Sequence, residues 1–377
     1  MALTLMEGNE AIGWGALEAG CRFFAGYPIT PATTIYNTML KLLPPADGIC
    51  MQGEDEIASI GFCLGAAMAG LKTMTATSGP GISLYSEQLS FAIGSEIPLV
   101  VVDVQRLGPS TGSATKGADG DIQFLRWGNS GGLPVIVLAP VDVKDCFELT
   151  IQAFNLAEQY RCPVFIASNK EIGMTRETVA WDALQRPPLV TRHGAVPDQP
   201  YRPFEADEDH PVPDFLPLGS RQLVRQTSST HGPDGYITTD PQQIACNQAR
   251  LKSKLTKAVE RFSYFEEQDV PGADTLVITY GVSARAARVA VEALGQQGRP
   301  VSLLVLKTLW PVPEAIIQQK AATHGRIVVV EMNLGQYVRE IERLLLGKGV
   351  EFLGQMDGEL IKPHQIMACI ENNERLK

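Results

Sequence analysis

Three continuous apolar segments most constrain what this chain can fold into: "PLVVVDVQ", "LPVIVLA" and "CPVFIAS". A strand with one face in solvent alternates apolar and polar residues, so an uninterrupted apolar run predicts a strand that is buried on both faces. Helix-type segments such as "DEIASIGFCLGAAMAG" alternate with shorter strand-type segments such as "GICMQ" and "KTMTAT". This alternation predicts a doubly wound α/β domain with a mostly parallel sheet.

The same alternation returns near the C-terminus, which predicts a second, smaller α/β domain. The first domain is expected over residues 1–174. Residues 175–240 are rich in proline and lack periodicity, so we expect an extended connection that lies over a surface. Residues 241–377 begin with a long polar helix and continue with the strands "TLVITYG", "PVSLLVL" and "RIVVVEM". A length of 377 residues is sufficient for two domains with separate cores.

Charge and cysteine usage exclude several classes of protein. The net charge of −10 argues against binding to nucleic acid, which requires a basic face. No apolar run reaches the roughly 20 residues that cross a bilayer, and the N-terminus does not read as a signal peptide. The seven cysteines are scattered, with no Cys-x-x-Cys motif and no Cys/His cluster. We therefore expect a cytoplasmic protein that carries neither a metal site nor an iron–sulfur cluster of its own.

Four polar or glycine-rich segments each follow one of the predicted strands. They are "GYPITP", "QGEDE", "TSGPG" and "QRLGPSTGSATKG". The carboxyl ends of parallel strands meet at one edge of the sheet, and ligands of open α/β sheets bind there. The sequence therefore predicts a ligand site where these four segments converge.

The loop segments contain candidate residues whose local roles have alternatives. In "GYPITP", Pro31 suits the first position of a helix, which makes Thr30 a candidate N-cap. The "SGPG" turn, with Ser78 and Gly79, either binds an anion through its backbone N–H groups or is only a tight turn. Asp121 in "GDIQ" is interpreted as a helix N-cap, because no second metal ligand follows at a convincing spacing.

The fourth segment contains two basic residues. Arg106 ends a buried strand, where a cation needs a partner. It forms a salt bridge with a carboxylate of the chain or binds a substrate carboxylate in bidentate fashion. Lys116 lies among glycine, serine and threonine residues and is either a solvated lysine or a second anion-binding group.

The chain resembles the alpha subunit of 2-oxoacid:ferredoxin oxidoreductases, most of all that of 2-oxoglutarate:ferredoxin oxidoreductases. The resemblance rests on the segments "EGNEAIGWGALEAGCRFFAGYPITP", "EDEIASIGFCLGAAMAG", "TATSGPG", "VVVDVQRLGPSTGSATK", "STHGPDGY", "LVITYG" and "EMNLGQYVREI". These enzymes decarboxylate a 2-oxoacid with thiamine diphosphate, pass two electrons through iron–sulfur clusters to ferredoxin and transfer the acyl group to coenzyme A. The resemblance implies a pyrimidine-binding-type first domain and a second domain like the C-terminal domain of transketolase.

The resemblance also implies roles for individual residues. Glu56 would hydrogen-bond the pyrimidine ring nitrogen, so that the exocyclic amine can deprotonate the thiazolium carbon. Glu54, in the same segment, is the alternative. Thr30 would be catalytic and face the carbonyl or carboxylate of the oxoacid, Arg106 would bind its carboxylate, and Lys116 would meet the second carboxylate of 2-oxoglutarate.

Four further residues are implied as cofactor contacts: Pro28, Ile29, Ser78 and Gly79. The chain lacks a convincing Gly-Asp-Gly motif for the diphosphate. The resemblance therefore implies a beta-type partner subunit that carries the diphosphate and Mg²⁺ site and a 4Fe–4S cluster. Ferredoxin, coenzyme A and the 2-oxoacid are the other expected partners. The gamma part that some relatives contain is either a separate polypeptide here or absent.

Two alternatives to 2-oxoglutarate oxidation stay open at this point. The first is the same chemistry on pyruvate or on branched-chain or aromatic 2-oxoacids, and the sequence does not fix whether the enzyme runs in reverse and carboxylates succinyl-CoA. The second is a degenerate regulator that binds a nucleotide or acyl-CoA. The joint presence of Glu56, Thr30 and Arg106 argues against the regulator.

Overall fold

A computed structural model describes residues 3–196, 199–207 and 209–374 of the chain. The strands are β1 (Leu3–Glu7), β2 (Phe23–Gly26), β3 (Ile49–Gln52), β4 (Thr73–Thr77), β5 (Leu99–Gln105), β6 (Ile136–Leu138), β7 (Pro163–Asn169), β8 (Arg176–Ala180), β9 (Phe265–Gln268), β10 (Thr275–Tyr280), β11 (Val301–Leu306), β12 (Thr308–Trp310), β13 (Arg326–Glu331) and β14 (Val350–Gly354).

The helices are α1 (Gly8–Glu18), α2 (Thr33–Leu42), α3 (Glu56–Met68), α4 (Pro80–Leu84), α5 (Ser86–Gly94), α6 (Ile122–Trp127), α7 (Val143–Tyr160), α8 (Lys170–Met174), α9 (Pro241–Thr256), α10 (Ser283–Gln296), α11 (Glu314–Ala322), α12 (Val338–Leu344) and α13 (Pro363–Glu374). Short 3-10 helices cover Pro44–Ala46, Trp181–Ala183 and Val259–Phe262.

Six strands of the N-terminal half, together with β12, form a seven-stranded sheet with the strand order β12-β6-β7-β5-β4-β2-β3. All of its neighbouring strands are parallel except β12 and β6. The three apolar segments form β5, β6 and β7, and every residue of these strands is buried. The predicted doubly wound, mostly parallel sheet is therefore confirmed.

The second α/β unit contains a five-stranded sheet with the order β14-β13-β10-β11-β9. Its strands are parallel except for β9, which runs antiparallel to β11. Strand β12 belongs to this part of the chain but joins the edge of the first sheet, beside β6. The Asp119 N–H donates to the Met332 carbonyl at 2.8 Å, and Asn333 Nδ2 donates to the Asp119 carbonyl at 2.9 Å. The two units are thus joined directly beside the carboxyl edge of the first sheet.

The proline-rich connection contains one strand that the sequence did not predict, β8, which pairs antiparallel with β1. Further along, it is held on the first unit by buried arginines. Arg161 donates to the Pro213 and Asp214 carbonyls, at 3.0 and 2.9 Å. Arg192 forms an ion pair of 2.8 Å with Glu158 of α7. We propose that the chain divides into residues 1–174, 175–240 and 241–377. Strand β12 belongs to the third part but pairs with the sheet of the first part.

Candidate active site

Four loops meet at the carboxyl edge of the seven-stranded sheet, as the sequence predicted. Arg106, after β5, donates from Nη1 to the Thr30 carbonyl, after β2, at 2.6 Å. A Cβ atom placed on Gly79, after β4, would lie 3.8 Å from Arg106 Cγ. A Cβ atom on Gly81 would lie 3.0 Å from the Oε1 atom of Glu56, which follows β3. These contacts define one pocket with a carboxylate and a guanidinium.

Glu56 is the first residue of α3 and is 8% exposed. Asp55 is the N-cap of this helix, and its Oδ1 accepts the Ala58 N–H at 2.7 Å. Capping therefore does not require Glu56. Among the described residues, none donates a hydrogen bond to the Glu56 carboxylate. Glu54, the alternative, has an exposed side chain.

A glycine and a group of hydroxyls surround the Glu56 carboxylate. A Cβ atom on Gly81 would lie 2.0 Å from Thr77 Oγ1, so only glycine fits between Thr77 and Glu56. Thr77 Oγ1 is buried without a hydrogen-bond partner among the described residues. The Thr75 and Tyr85 hydroxyls hydrogen-bond to each other at 2.8 Å, and burial raises the pKa of Tyr85 well above its usual range. Tyr85 is therefore a neutral hydroxyl in this pocket.

Arg106 is 6% exposed and makes two hydrogen bonds to loop backbone. Nη1 donates to the Thr30 carbonyl, and Nη2 donates to the Thr111 carbonyl at 2.9 Å. Nε is buried without a partner in the described chain, and no described carboxylate forms an ion pair with the guanidinium. Of the five N–H hydrogens of an arginine, three remain available, one on each nitrogen, and Nε lies 3.9 Å from the position that a Cβ atom on Gly79 would take.

Thr30 is exposed and is not the N-cap of α2, which corrects the sequence interpretation. The chain turns over residues 30–32, and the helix begins at Thr33. The cap position belongs to Ala32, and the Thr33 N–H is accepted by the Ile29 carbonyl at 2.9 Å. Because the Thr30 hydroxyl is too far back to cap, it remains free to face the pocket, next to the half-buried Pro28 and Ile29.

The "SGPG" segment forms a tight turn before a short helix. Gly79 has a φ of +31°, a conformation that L side chains rarely adopt. Helix α4 contains only five residues, so its dipole is a weak attraction for an anion. Ser78 Oγ is buried with no partner among the described residues. The cofactor contact expected for Ser78 and Gly79 stays a prediction.

Lys116 lies at the surface and reaches the second α/β unit. Its Nζ forms an ion pair of 2.7 Å with Glu359, and 45% of its side chain is exposed. The hydrogen bond and charge of Glu359 raise the pKa of Lys116. The structure thus places this ammonium on an acidic partner that local sequence did not reveal.

Two buried aspartates near Arg106 were missed by the sequence reasoning, and a third was only partly understood. Asp103 lies within β5 and is fully buried, and Asp119 is 2% exposed. Asp121 does precede α6, but its side chain caps no N–H group, which corrects the predicted role. Its N–H donates to Gln105 Oε1 at 2.9 Å, and its carboxyl interacts with that of Asp103. The sequence signal for Asp103 was a single aspartate inside the apolar run "LVVVDVQ".

Within the part of the chain that the structure describes, no group of three or more His, Cys, Asp or Glu side chains is arranged to hold a metal ion. Nor does any helix of that part have the length and apolar character needed to cross a membrane.

The fold and the pocket define a class of protein. Two α/β units, with a buried glutamate without a donor at a helix start and a glycine beside it, are what the pyrimidine-binding half of a thiamine diphosphate-dependent enzyme requires. Residues 14–250 match the family described as pyruvate flavodoxin/ferredoxin oxidoreductase, thiamine diphosphate-binding, and residues 273–366 match core domain II of pyruvate:ferredoxin oxidoreductase. The chain belongs to the 2-oxoacid:ferredoxin oxidoreductase family, as a subunit of the alpha type.

Individual relatives show which members of this family the chain is similar to. It is 39% identical over 368 residues to the 2-oxoglutarate synthase subunit KorA of Methanothermobacter thermautotrophicus, covering 97% of each chain. It is 34% identical to the ketoisovalerate oxidoreductase subunit VorB of the same organism, covering 98% of this chain and 97% of that one. The solved 2-oxoglutarate:ferredoxin oxidoreductase of Magnetococcus marinus, with 2-oxoglutarate, coenzyme A and succinyl-CoA bound, superimposes with a TM-score of 0.92 at 33% identity. The match covers 98% of this chain and 65% of that one.

A split-gene transketolase, described as an inactive beta4 tetramer, shares the fold at a TM-score of 0.57 and 14% identity. The second, transketolase-like part of the fold prediction is thereby supported at the level of fold alone.

Proposed function

We propose that this chain is the alpha-type subunit of a thiamine diphosphate-dependent 2-oxoglutarate:ferredoxin oxidoreductase. With a beta-type partner, it oxidatively decarboxylates 2-oxoglutarate, reduces ferredoxin and forms succinyl-CoA, or runs the same reaction in reverse. Four 2-oxoglutarate synthase subunits are 37–39% identical to it, against 33–34% for two ketoisovalerate oxidoreductase subunits. Oxidation of a branched-chain 2-oxoacid is therefore the second candidate.

The Glu56 carboxylate is the observation that carries this proposal. It is largely buried, has no donor among the described residues and faces a glycine that leaves room beside it. A buried carboxylate without a donor is costly unless a ligand supplies one. The aminopyrimidine of thiamine diphosphate has a ring nitrogen that can share a proton with it, so the residues fit the cofactor.

When bound, thiamine diphosphate supplies the carbon nucleophile and the electron sink for decarboxylation. In the proposed mechanism, Glu56 holds the proton at the pyrimidine ring nitrogen and fixes the orientation of the ring. The start of α3 stabilises the negative charge of this carboxylate through its free N–H groups. The buried setting excludes water and strengthens that interaction.

Arg106 and Thr30 are proposed to bind the oxoacid. The unpartnered Nε and the remaining Nη2 hydrogen of Arg106 form an edge that suits a carboxylate in bidentate geometry. The hydrogen bond from Nη1 to Thr30 holds the guanidinium and the threonine in one unit. The free Thr30 hydroxyl then donates to the oxoacid carbonyl, where a small displacement costs rate steeply.

Lys116 is proposed to bind the distal carboxylate of 2-oxoglutarate in place of Glu359. Both side chains are well exposed, so their ion pair contributes little to stability. A substrate carboxylate of the same charge can therefore replace Glu359. This role stays a prediction, because no contact joins Lys116 to Arg106 or Glu56.

A beta-type partner subunit is proposed to complete the cofactor site. Its role is to supply the diphosphate and Mg²⁺ site and a 4Fe–4S cluster; ferredoxin and coenzyme A are the co-substrates. The side chains of Ile57 and Phe62 on α3, the helix that begins with Glu56, and of Leu84 on α4, the helix that contains Gly81, are exposed and suit an apolar interface. All seven cysteines are free and none is clustered, which supports cluster ligands on the partner and a reducing, cytoplasmic location.

Substrate screening of the reconstituted complex tests this function. The chain is co-expressed with a beta-type subunit, and coenzyme A-dependent reduction of a viologen dye is measured with 2-oxoglutarate, pyruvate and 2-oxoisovalerate. We expect the highest kcat/KM for 2-oxoglutarate. Preference for 2-oxoisovalerate would favour the second candidate, and absence of turnover with every 2-oxoacid would contradict both.

A further inference from the structure

A group of buried polar atoms without partners lies behind the Arg106 pocket. Neither carboxyl oxygen of Asp103 accepts a well-formed hydrogen bond from a described residue, and the same holds for Asp121 Oδ2. Asp103 is fully buried in the middle sheet strand β5, and Asp121 reaches it from the loop before α6. The Asp121 N–H donates to Oε1 of Gln105, which lies on the same face of β5 as Asp103, so the unpartnered oxygens of the two carboxyl groups can satisfy each other through one hydrogen bond.

Two ionised carboxylates cannot form that hydrogen bond, because neither carries a hydrogen. Their mutual repulsion in a buried site would also be large. A single proton shared between them removes both problems. We propose that Asp103 and Asp121 form a proton-sharing carboxyl pair that positions Arg106 and the Ser78–Gly79 turn, which makes Asp103 a positioning residue for oxoacid binding. This inference rests on the proposed function and deepens it.

The contacts of the pair lead directly to the substrate-binding groups. The charge of the Arg106 guanidinium acts on Asp121, and the Gly79 N–H faces Asp103. Asp121 is fixed from behind, because its own N–H donates to Gln105 Oε1 at 2.9 Å. The pair therefore lies between the guanidinium and the turn that enclose the proposed carboxylate site.

The charge balance explains why one proton is needed. A pair with one proton carries one negative charge, which the Arg106 guanidinium balances. If the shared proton leaves, two negative charges face Arg106 and oppose binding of an anionic substrate. The other nearby charged groups act in the same direction: Asp119 acts on both carboxyls, and Glu331 lies behind Asp119.

Burial of the pair agrees with this protonation. Burial raises the pKa of Asp103 well above its usual range, and the neighbouring Asp121 raises it further. Burial raises the pKa of Asp121 to about 6, against the lowering influence of Arg106. Asp119, whose pKa burial raises to about 7, differs from the pair because its Oδ1 accepts a hydrogen bond of 2.7 Å from Asn169.

Infrared difference spectroscopy of the full chain at neutral pH tests the shared proton without any cofactor. The spectrum of the wild type minus that of Asp103→Asn should contain the C=O stretch of a protonated carboxylic acid. Asp121→Asn should give the same loss. Glu158→Gln is the matched control, because this buried glutamate forms an ion pair of 2.8 Å with Arg192 and should lose only carboxylate bands. Absence of the acid band from the wild type, or its persistence in both variants, overturns the pair.

Kinetics of the complex with the beta-type subunit test the positioning role. Asp103→Asn keeps a donor toward Asp121, so KM for the oxoacid should stay within about threefold of the wild-type value at neutral pH. Asp103→Ala should instead raise KM by roughly 10- to 100-fold with little change in kcat. The KM of the wild type should rise with pH as the shared proton is lost, whereas that of Asp103→Asn should stay flat. Identical pH profiles overturn the positioning role. A wild-type complex that turns over no 2-oxoacid contradicts the proposed function, while the infrared result still decides the pair.

Discussion

The Arg106 guanidinium donates a hydrogen bond of 2.6 Å to the Thr30 carbonyl, 76 residues earlier in the chain. A second N–H group of the same side chain donates to the Thr111 carbonyl. One buried cation thus fixes two loops and still has hydrogens left for a carboxylate. The planar shape of the guanidinium lets it bind both loop carbonyls and a carboxylate at the same time.

Arg106→Lys should therefore raise KM for the oxoacid by about 10- to 100-fold, because a lysine cannot hold both carbonyls and a carboxylate together. The measurement is steady-state kinetics of the complex over a range of 2-oxoglutarate concentrations. Arg176→Lys is the control, because Arg176 is 67% exposed and pairs only with Glu7 among the described residues. An unchanged KM in Arg106→Lys would show that the guanidinium serves only the loops.

Gly81→Ala should disturb the Glu56 pocket. The new Cβ would lie 2.0 Å from Thr77 Oγ1, so Thr77 or α4 must move and displace the carboxylate. We expect a loss of stability of about 1–3 kcal/mol and a loss of activity on the order of 100-fold. Gly65→Ala, in open space on α3, should instead stabilise the isolated chain by about 0.5–1 kcal/mol. Urea unfolding and turnover are measured for both, and full activity of Gly81→Ala would contradict the pocket.

Much of the fold follows from local pattern. The apolar runs that form β5, β6 and β7 can be recognised from local sequence alone, because an uninterrupted apolar composition indicates a strand that is buried on both faces. Strand β12 has only three residues and exists because the edge of a distant sheet accepts it. No local pattern could have predicted that pairing.

The sequence predicted those features of the site that depend on neighbouring residues, but not those that depend on contacts between distant residues. The convergence of the four loops follows from strand order, whereas Glu56 was singled out through the family resemblance. The ion pair of Lys116 with Glu359 spans 243 residues, and the position of Asp121 near Asp103 depends on how the loop before α6 packs on β5. The preference of aspartate for the N-cap position correctly predicted that Asp121 precedes a helix. Its side chain is buried beside Asp103, however, and caps no N–H group of that helix.

Lys116→Ala should reduce kcat/KM for 2-oxoglutarate more than for pyruvate, because only the first has a distal carboxylate. Glu359→Gln is the matched variant, since it removes the ion pair and leaves the ammonium free. We expect it to preserve activity on 2-oxoglutarate. If both variants lose activity equally on both substrates, Lys116 connects the two α/β units and does not bind substrate.

Glu96 should make the chain sensitive to acid. Burial alone would raise the pKa of this fully buried carboxyl, but Lys254 at 2.7 Å and Arg250 at 2.6 Å lower it to about 2. Because the folded-state pKa lies below the ordinary value of 4.5, the stabilisation is complete above about pH 4.5. It is lost as the pH falls toward 2.

Glu96→Gln should accordingly lower the free energy of unfolding at neutral pH by about 3–5 kcal/mol and flatten its dependence on pH in acid. Denaturant unfolding of the isolated chain between neutral pH and pH 3 measures both. Glu260→Gln, on an exposed side chain, should behave like the wild type. A Glu96→Gln variant as stable as the wild type at neutral pH would show that the two cations do not depend on this carboxylate.

The most direct test of the account is the activity of Glu56→Gln in complex with the beta-type subunit. The glutamine keeps the shape of the side chain but cannot share a proton as the carboxylate does. Oxoacid- and coenzyme A-dependent viologen reduction should fall on the order of 100- to 10,000-fold, with assembly intact by gel filtration. Glu54→Gln should stay near the wild type, and the isolated chain should be colourless and inactive. Full activity of Glu56→Gln, or turnover by the isolated chain, would contradict a cofactor site that is divided between two subunits around Glu56.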